Sequence, residues 1–274
     1  MPKDCYGLNT KENKESKMSA LLSVNNMTHY FGGLRAVNQY NLNIEPQQIT
    51  GLIGPNGAGK TTVFNLITGV YTPTEGTIAL ENKNIKGLET NEIAARGLGR
   101  TFQNLALWRH MNVLDHIKMA HYSQLSYGLI GSFFNTKKCR DQETKVQENS
   151  YRLLELFDIK QHADQLVTNL PYGAQRRVEM ARAMATNPKI LFIDEPTAGM
   201  TPDELVQMIK IIRQVHQDFK VAIFLIEHRM KFVMELCQYI QTLVFGEVIA
   251  EGPPEEIQNN PEVIEAYLGK EDLT

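Results

Sequence analysis

Residues 54–62 read Gly54-Pro55-Asn56-Gly57-Ala58-Gly59-Lys60-Thr61-Thr62, a glycine-rich stretch with the spacing GxxxxGK[ST]. It follows an apolar run, Ile49–Ile53, that predicts a strand, and it opens a segment, Thr61–Thr68, that predicts a helix ended by Gly69. Glycines let backbone N–H groups point inward around an anion, and the start of a helix adds positive potential. We therefore expect Lys60 to reach the β and γ phosphates of a nucleoside triphosphate and the Thr61 hydroxyl to bind Mg²⁺.

A second apolar run, Ile190–Ile193, ends in Asp194 and Glu195. An acidic residue at the carboxyl end of a strand, across from the phosphate loop, can hold Mg²⁺ through water. The glutamate beside it can polarise a water that attacks the γ phosphate. An apolar strand followed by Asp-Glu is common by itself, but downstream of a phosphate loop it indicates a nucleotide-hydrolysing site.

Strand-like and helix-like segments alternate along the chain. Further strands are predicted at Leu21–Asn26, Thr77–Leu80 and Val221–Ile226, and helical periodicity is present in Val113–Ala120 and Gln147–Phe157. This alternation implies a mainly parallel sheet with both faces covered. The helix-rich middle of the chain is therefore interpreted as an insertion into one α/β domain.

The composition narrows the classes of protein that fit. The 274 residues are 42% hydrophobic and 22% charged with a net charge of −3, which predicts a globular domain without a general basic surface for nucleic acid. Three cysteines (Cys5, Cys139, Cys237) without CxxC spacing fit a reducing compartment, and no run of 18 or more apolar residues predicts a membrane span. Residues 1–20 are polar and predicted to form a disordered tail before a domain at 21–274, with Met18 as an alternative start.

Together these motifs resemble those of the ATP-binding subunits of ABC transporters, over roughly Leu21 to Gly269. The loop GPNGAGKTT and the run LFIDEPTAG are typical of that family. The resemblance implies a P-loop NTPase core with a mainly parallel sheet, an antiparallel β subdomain and an inserted helical subdomain at roughly 98–176. It also implies ATP and Mg²⁺ as cofactors, with residues 54–62 holding the nucleotide and a second subunit completing the site.

The resemblance also implies roles for residues whose type alone would not reveal them. Phe31 matches the aromatic residue that stacks on adenine, and His228 matches the switch histidine that contacts the γ phosphate. Gln103, in Arg-Thr-Phe-Gln, matches the glutamine that links the metal site to the transmembrane partner. The expected catalytic set is Glu195, His228 and Gln103, and the expected Mg²⁺ ligands are Thr61, Gln103 and, through water, Asp194.

The family's signature, normally Leu-Ser-Gly-Gly-Gln, is altered here to Leu170-Pro171-Tyr172-Gly173. The family's serine gives its hydroxyl to the γ phosphate on the opposite subunit, and Pro171 cannot donate through its side chain or its backbone nitrogen. The helix downstream, expected from about Arg176, can still direct its N-terminus at that phosphate. We therefore expect a heterodimer with a second ABC ATPase subunit whose signature is more regular.

Two further positions differ from the family's pattern. Thr201 stands where an aspartate usually follows the Asp-Glu motif, and Arg229 replaces the aspartate that usually follows the switch histidine. Both differences bear on communication between sites rather than on Lys60, Asp194 or Glu195.

Within the family the chain is most similar to the LivG-type subunit of branched-chain amino-acid importers. The stretches that carry this likeness are Phe31–Val37, Arg100–Gln103 and Asn259–Gly269. The apolar, glycine-containing stretch 125–134 resembles an insertion of these subunits, and it is either a contact with the membrane domain or a loop packed on its own helices.

This likeness implies further partners and a location. The partners are two transmembrane permease subunits and, indirectly, a periplasmic or extracellular solute-binding protein, and the location is the cytoplasmic face of the inner membrane. Urea import and lipopolysaccharide export by the same type of ATPase are alternatives. A soluble ABC ATPase acting in translation or DNA repair fits less well, because the chain has one phosphate loop and no sustained heptads.

Overall fold

The computed structural model describes residues 20–101, 105–122 and 137–268, and in these ranges the chain forms two β-sheets and a set of α-helices. The strands are β1 Leu22–Phe31, β2 Leu34–Ile44, β3 Ile49–Ile53, β4 Glu75–Leu80, β5 Lys83–Asn84, β6 Leu98–Arg100, β7 Ile190–Asp194, β8 Ala222–Ile226, β9 Tyr239–Val244 and β10 Glu247–Gly252. The helices are α1 Lys60–Ile67, α2 Thr90–Ala95, α3 Val113–His121, α4 Lys137–Leu156, α5 Tyr172–Ala185, α6 Pro202–Phe219, α7 Met230–Leu236, α8 Pro254–Gln258 and α9 Pro261–Leu268. None of the helices described is long and apolar enough to cross a membrane.

The larger sheet has six strands in the order β10-β9-β3-β8-β7-β6, and every neighbouring pair except β9 and β10 is parallel. The predicted mainly parallel sheet is therefore confirmed. In its register, Ile226 at the end of β8 lies opposite both Leu52 of β3 and Asp194 of β7. The carboxyl ends of three strands consequently meet at one edge, which is where open α/β sheets bind ligands.

The central strands are buried on both faces, and their residues alternate between two cores. Phe192 and Phe224 face one core with helix α1, whereas Leu191 and Leu225 face the other. Such near-continuous apolar strands are typical of parallel sheets covered on both sides. The second face is covered by residues of α3, α4, α5, α6 and α7.

The smaller sheet is antiparallel, in the order β2-β1-β4-β5, and it shares the core of helix α1. Fully buried residues from it, including Leu22, Val24 and Leu42, contribute to this core beside Phe64. The antiparallel β portion implied by the resemblance is therefore confirmed. Strand β1 of this sheet ends at Phe31, the residue expected to stack on adenine.

The helices between β6 and β7 match the predicted positions with two corrections. Helix α3 agrees with the expected Val113–Ala120, but the segment expected at Gln147–Phe157 is only the second half of the longer α4. The first half of α4 is polar, so it lacks the apolar periodicity on which the prediction relied. Helix α5 begins at Tyr172 and not near Arg176. The limits of a helical subdomain at roughly 98–176 stay a prediction.

Phe64 packs helix α1 against the larger sheet. Its ring is fully buried and lies 4.8 Å from the rings of both Phe192 and Phe224. We expect Phe64→Ala to lower the free energy of unfolding by about 3–5 kcal/mol, since truncation leaves a cavity among these rings. Urea unfolding followed by circular dichroism measures this change. Phe245→Ala, at an 86% exposed phenylalanine, is the matched control and should stay within about 0.5 kcal/mol of wild type. Equal losses in the two variants would contradict this account of the core.

Candidate nucleotide site

The phosphate loop connects β3 to α1, and two of its glycines have no room for a side chain. Gly54 has φ 146°, and a Cβ there would lie 2.0 Å from the carbonyl oxygen of Leu243. Gly59, the N-cap of α1, has φ 104°, and its Cβ would lie 2.8 Å from the carbonyl oxygen of Ala36. Both backbone conformation and close packing therefore require glycine at these positions.

Lys60 is the first residue of α1 and is buried, with 6% of its surface exposed. Its Nζ donates hydrogen bonds to the carbonyl oxygens of Gly54, at 2.7 Å, and Pro55, at 2.9 Å. The ammonium group thus lies within the loop that the sequence predicts to bind phosphate. Thr61 follows in the first turn and is exposed at the same helix end.

Asp194 ends β7 as a buried carboxyl group with an unusual environment. Neither of its carboxylate oxygens has a hydrogen-bond partner among the described residues, and Arg100 Nη2 lies 3.7 Å from Oδ2. The pKa of Asp194 is raised to about 6, chiefly by burial; Arg100 opposes this rise, the charge of Glu195 adds to it, and Arg176 and Lys60 also lower the pKa. Because the charge of Lys60 lowers the pKa of Asp194, the phosphate loop and Asp194 lie near each other, as the sequence predicts.

Glu195 adopts a left-handed backbone conformation, with φ 45°. Such a conformation costs energy for a residue other than glycine and often occurs at functional sites. It is held because the Glu195 N–H donates to the carbonyl oxygen of Ile226, at 3.0 Å. The turn leaves the Glu195 side chain partly exposed at the edge of the sheet where the strands end.

Glu227 is a buried residue at this edge of the sheet that the sequence reasoning missed. Its fully buried carboxylate accepts hydrogen bonds from the Thr197 N–H and hydroxyl and from the N–H groups of His228 and Arg229. It therefore connects the loop after Glu195 to the segment that carries the predicted switch histidine. The available signal was an acidic residue at the end of a strand that is otherwise entirely apolar.

The side chain of His228 is 48% exposed, with Nδ1 3.7 Å from Glu227 Oε2. His228 lies two residues after the end of β8, so the histidine is at the same sheet edge as Asp194 and Glu195. Gln103 and the stretch 125–134 lie outside the described residues. Their predicted roles therefore stay predictions.

Arg100 is the second residue whose role was missed, although it belongs to the quoted Arg-Thr-Phe-Gln stretch. It lies at the end of β6, pairs with Asp194, and donates from Nη1 to the Thr68 hydroxyl at 2.6 Å. Its guanidinium carbon is 6.0 Å from the centre of the Phe64 ring. Arg100 therefore connects the end of α1 with the buried carboxylate of Asp194.

Phe31 belongs to an aromatic cluster with His29 and Tyr71. The Phe31 ring is edge-on to His29, at 4.6 Å, and to Tyr71, at 5.3 Å, and 42% of Phe31 is exposed. An exposed aromatic surface of this kind can stack against a planar base. The sequence indicated Phe31 alone, because His29 and Tyr71 come together only through the pairing of β1 with β4 and the turn that precedes β4.

The altered signature forms the start of α5. Pro171 is the N-cap, with extended backbone, and Leu170 is buried before it. Gly173 packs so closely against α6 that a Cβ would lie 2.6 Å from Glu204 Oε1. The exposed Tyr172 ring lies under the guanidinium of Arg176, which donates from Nε to the Tyr172 hydroxyl at 3.1 Å.

Thr201 and Arg229 also stand at helix starts. Thr201 is the N-cap of α6, where its backbone and hydroxyl donate to Glu204 Oε2 while the Glu204 N–H donates to its hydroxyl. This capping box explains how threonine replaces the family's aspartate without loss of the helix start. Arg229 is the N-cap of α7, fixed through its N–H bond to Glu227.

Comparison with known families and proteins agrees with this geometry. A profile described as "ABC transporter" matches residues 37–198, and one described as "Branched-chain amino acid ATP-binding cassette transporter" matches residues 247–272. The first match covers the phosphate loop, the signature and the Asp-Glu pair. The second covers the C-terminal segment from β10 onward.

Curated relatives match over nearly their whole length. The high-affinity branched-chain amino acid transport ATP-binding protein LivG of Escherichia coli K12 is 45% identical over 91% of this chain and 98% of its own. The protein BraF of Pseudomonas aeruginosa, with the same description, is 42% identical over the same shares.

Solved structures match as well. An ATP-binding cassette of an ABC transporter, solved in its ADP conformation, has a TM-score of 0.78 and 29% identity, covering 91% of this chain and 99% of that one. The phosphate loop, the Asp-Glu pair at the end of β7, the two sheets and these matches agree with one another. The chain therefore belongs to the ABC transporter family, as one of its ATP-binding and ATP-hydrolysing subunits.

Proposed function

We propose that this chain supplies the ATP-driven force of an importer for branched-chain amino acids. The observation that carries the proposal is the site at the carboxyl ends of β3 and β7, in which Lys60 lies within the phosphate loop, Asp194 ends the buried strand β7 and Glu195 follows it. The cargo is inferred from the names of LivG and BraF, and the second profile match supports it. These names favour branched-chain amino acids over urea import or lipopolysaccharide export.

Mg²⁺ fits the oxygen-bearing side chains of this site. Asp194 presents two buried carboxylate oxygens without hydrogen-bond partners in the described chain, and such groups are rarely left unsatisfied. Mg²⁺ prefers oxygen ligands and keeps several waters, so Asp194 would hold it through water and Thr61 through its hydroxyl. The ion would neutralise charge on the β and γ phosphates. Gln103 is proposed as a further ligand on the basis of the family resemblance.

The protein residues divide the remaining work on ATP. Phe31 offers an exposed ring to adenine, and Lys60 neutralises phosphate charge. Glu195 orients and polarises the attacking water, while His228 contacts the γ phosphate from the adjacent strand end. Glu227 acts indirectly, because its hydrogen bonds fix the backbone of His228 and of the loop after Glu195.

The proposed assembly places this chain against other subunits. Two transmembrane permease subunits would hold it at the cytoplasmic face of the inner membrane, and a solute-binding protein would deliver the amino acid from outside. Closure of two ATPase subunits around ATP would act on the permeases near Gln103. ATP hydrolysis would then reset them.

A heterodimer is proposed because the signature here offers fewer donors than usual. Pro171 has no N–H and no side-chain donor, so it cannot replace the hydroxyl of the family's serine, and the first-turn amides of α5, beginning at Tyr172, would face a partner's phosphate. The phosphate loop of the same chain is intact. Two unequal nucleotide sites follow when the partner carries a more regular signature.

Glu195→Gln tests the catalytic base. We expect ATP binding within about twofold of wild type, but hydrolysis reduced by about a hundredfold or more, because glutamine cannot accept the proton of the attacking water. Phosphate release and titration with a fluorescent ATP analogue, both on the assembled transporter, measure the two quantities. Glu255→Gln, on the exposed surface of α8, is the matched control. Near-normal turnover in Glu195→Gln would remove Glu195 from this role.

Asp194→Asn tests the electrostatic cost of the buried carboxylate. Since the folded pKa of Asp194, about 6, is above its ordinary value of 3.8, its favourable contribution is complete below pH 3.8 and is lost as pH rises through 6. The nucleotide-free variant should therefore exceed wild type in unfolding free energy by about 1–3 kcal/mol at pH 7.5, and by less at pH 5.

Urea titrations across this pH range measure that difference, with the exposed Asp164→Asn as the control. We also expect Asp194→Asn to lose Mg²⁺-dependent ATP hydrolysis. If the difference in unfolding free energy were the same at pH 5 and pH 7.5, the ionisation of the buried Asp194 would not destabilise the fold, and this prediction would be wrong.

The heterodimer is tested with Glu195→Gln chains, which hold ATP. Alone with ATP and Mg²⁺ they should elute from size-exclusion chromatography as monomers, and dimers should appear when the second ABC ATPase subunit of the same transporter is added. A stable ATP-bound homodimer of this chain, with two active sites in the wild-type protein, would overturn the proposal.

A further inference from the structure

The C-terminal helix α9 contacts the phosphate loop directly. The N–H of Gly54, at the start of the loop, donates a hydrogen bond to the hydroxyl oxygen of Tyr267, at 2.8 Å. The two residues are 213 positions apart in the chain. The functional site described above does not use this contact, and the sequence quoted Tyr267 only as part of a C-terminal stretch.

The backbone N–H of Gly54 has the Tyr267 hydroxyl as its hydrogen-bond acceptor, and the packing around Gly54 is close. It is buried, with φ 146°, and the close approach of Leu243 prevents any side chain there. Its N–H is bonded to Tyr267, and its carbonyl oxygen accepts from Lys60 Nζ at 2.7 Å. A buried N–H left without an acceptor is costly, so loss of the hydroxyl would favour a shift of Gly54 and hence of the loop.

Tyr267 is held in place by the packing of α9. Val263, one turn earlier on the helix, is 2% exposed in the main core, and the half-buried Tyr267 packs against the same core. The Asn260 side chain accepts from the N–H groups of Glu262 and Val263 and so fixes the start of the helix. Burial raises the pKa of Tyr267, so the hydroxyl stays neutral near pH 7.

The same helix end also lies beside α7, which starts immediately after the switch histidine segment. Met230 and Met234 of α7 form one side of an apolar groove of about 720 Å³, and Ile264 and Tyr267 of α9 form the other. Helix α9 therefore contacts the phosphate loop and shares this groove with α7, the helix that follows His228.

We propose that Tyr267 is a positioning residue for the phosphate loop, through which the C-terminal helix sets the affinity of the subunit for ATP. The proposal rests on the ATP-binding role proposed above for residues 54–62. Tyr267 touches neither the phosphates nor the attacking water, and it acts by fixing the Gly54 amide. Because the loop holds the phosphates in the ground state and the transition state alike, its displacement weakens both equally.

Tyr267→Phe tests this directly, since it keeps the ring and removes only the oxygen. We expect the KM and the dissociation constant for ATP to rise by about three- to tenfold, with kcat changed less than about twofold. A purely structural role would instead lower the amount of folded, active protein and leave KM unchanged. The matched control is Tyr122→Phe. It removes an exposed hydroxyl that donates a hydrogen bond to Glu143 of α4 at 3.1 Å.

Hydrogen exchange of the full-length variant supplies a second readout that does not depend on turnover. Amides of the loop peptide around residues 54–59 should exchange faster in Tyr267→Phe, while those of β7 keep their wild-type rates. Unchanged ATP affinity together with unchanged exchange in the loop would overturn the proposal, and so would equally faster exchange in both peptides. The test uses ATP alone, so a failure of the cargo assignment would leave it intact.

Discussion

Backbone hydrogen bonds between β3, β8 and β7 place Ile226 opposite both Leu52 and Asp194. This parallel register brings three segments that are remote in sequence to one edge of the sheet: the phosphate loop, the Asp-Glu pair and the segment with His228. The rest of the site depends on it. A shift of one residue would exchange the two faces of β7 and place Phe192 in the wrong core.

Two buried carboxylates end adjacent strands at this edge, and their environments differ. Glu227 accepts four hydrogen bonds and connects two loops. Asp194 has an ion-pair partner in Arg100, but its oxygens accept no hydrogen bond in the described chain. This difference is the reason that we propose Asp194, and not Glu227, as the residue that holds a hydrated cation.

Three of the departures from the family's pattern share a structural position. Pro171, Thr201 and Arg229 are the N-cap residues of α5, α6 and α7. At each position the helix start is preserved, by extended backbone at Pro171, by a capping box at Thr201 and by the bond to Glu227 at Arg229. The fold therefore tolerates these replacements.

The sequence alone determined the class of fold and the chemistry of the loop, because strict spacing and apolar strand periodicity are local properties. It also placed Asp194 and Glu195 correctly at the end of a buried strand. It did not reveal Glu227, Arg100 or Tyr267, since each has a hydrogen-bond or ion-pair partner that is distant along the chain. Only the tertiary structure brings Tyr267 to Gly54, which is 213 positions away in the chain. The packing of α9 on the core positions this hydrogen bond, and no local sequence pattern encodes it.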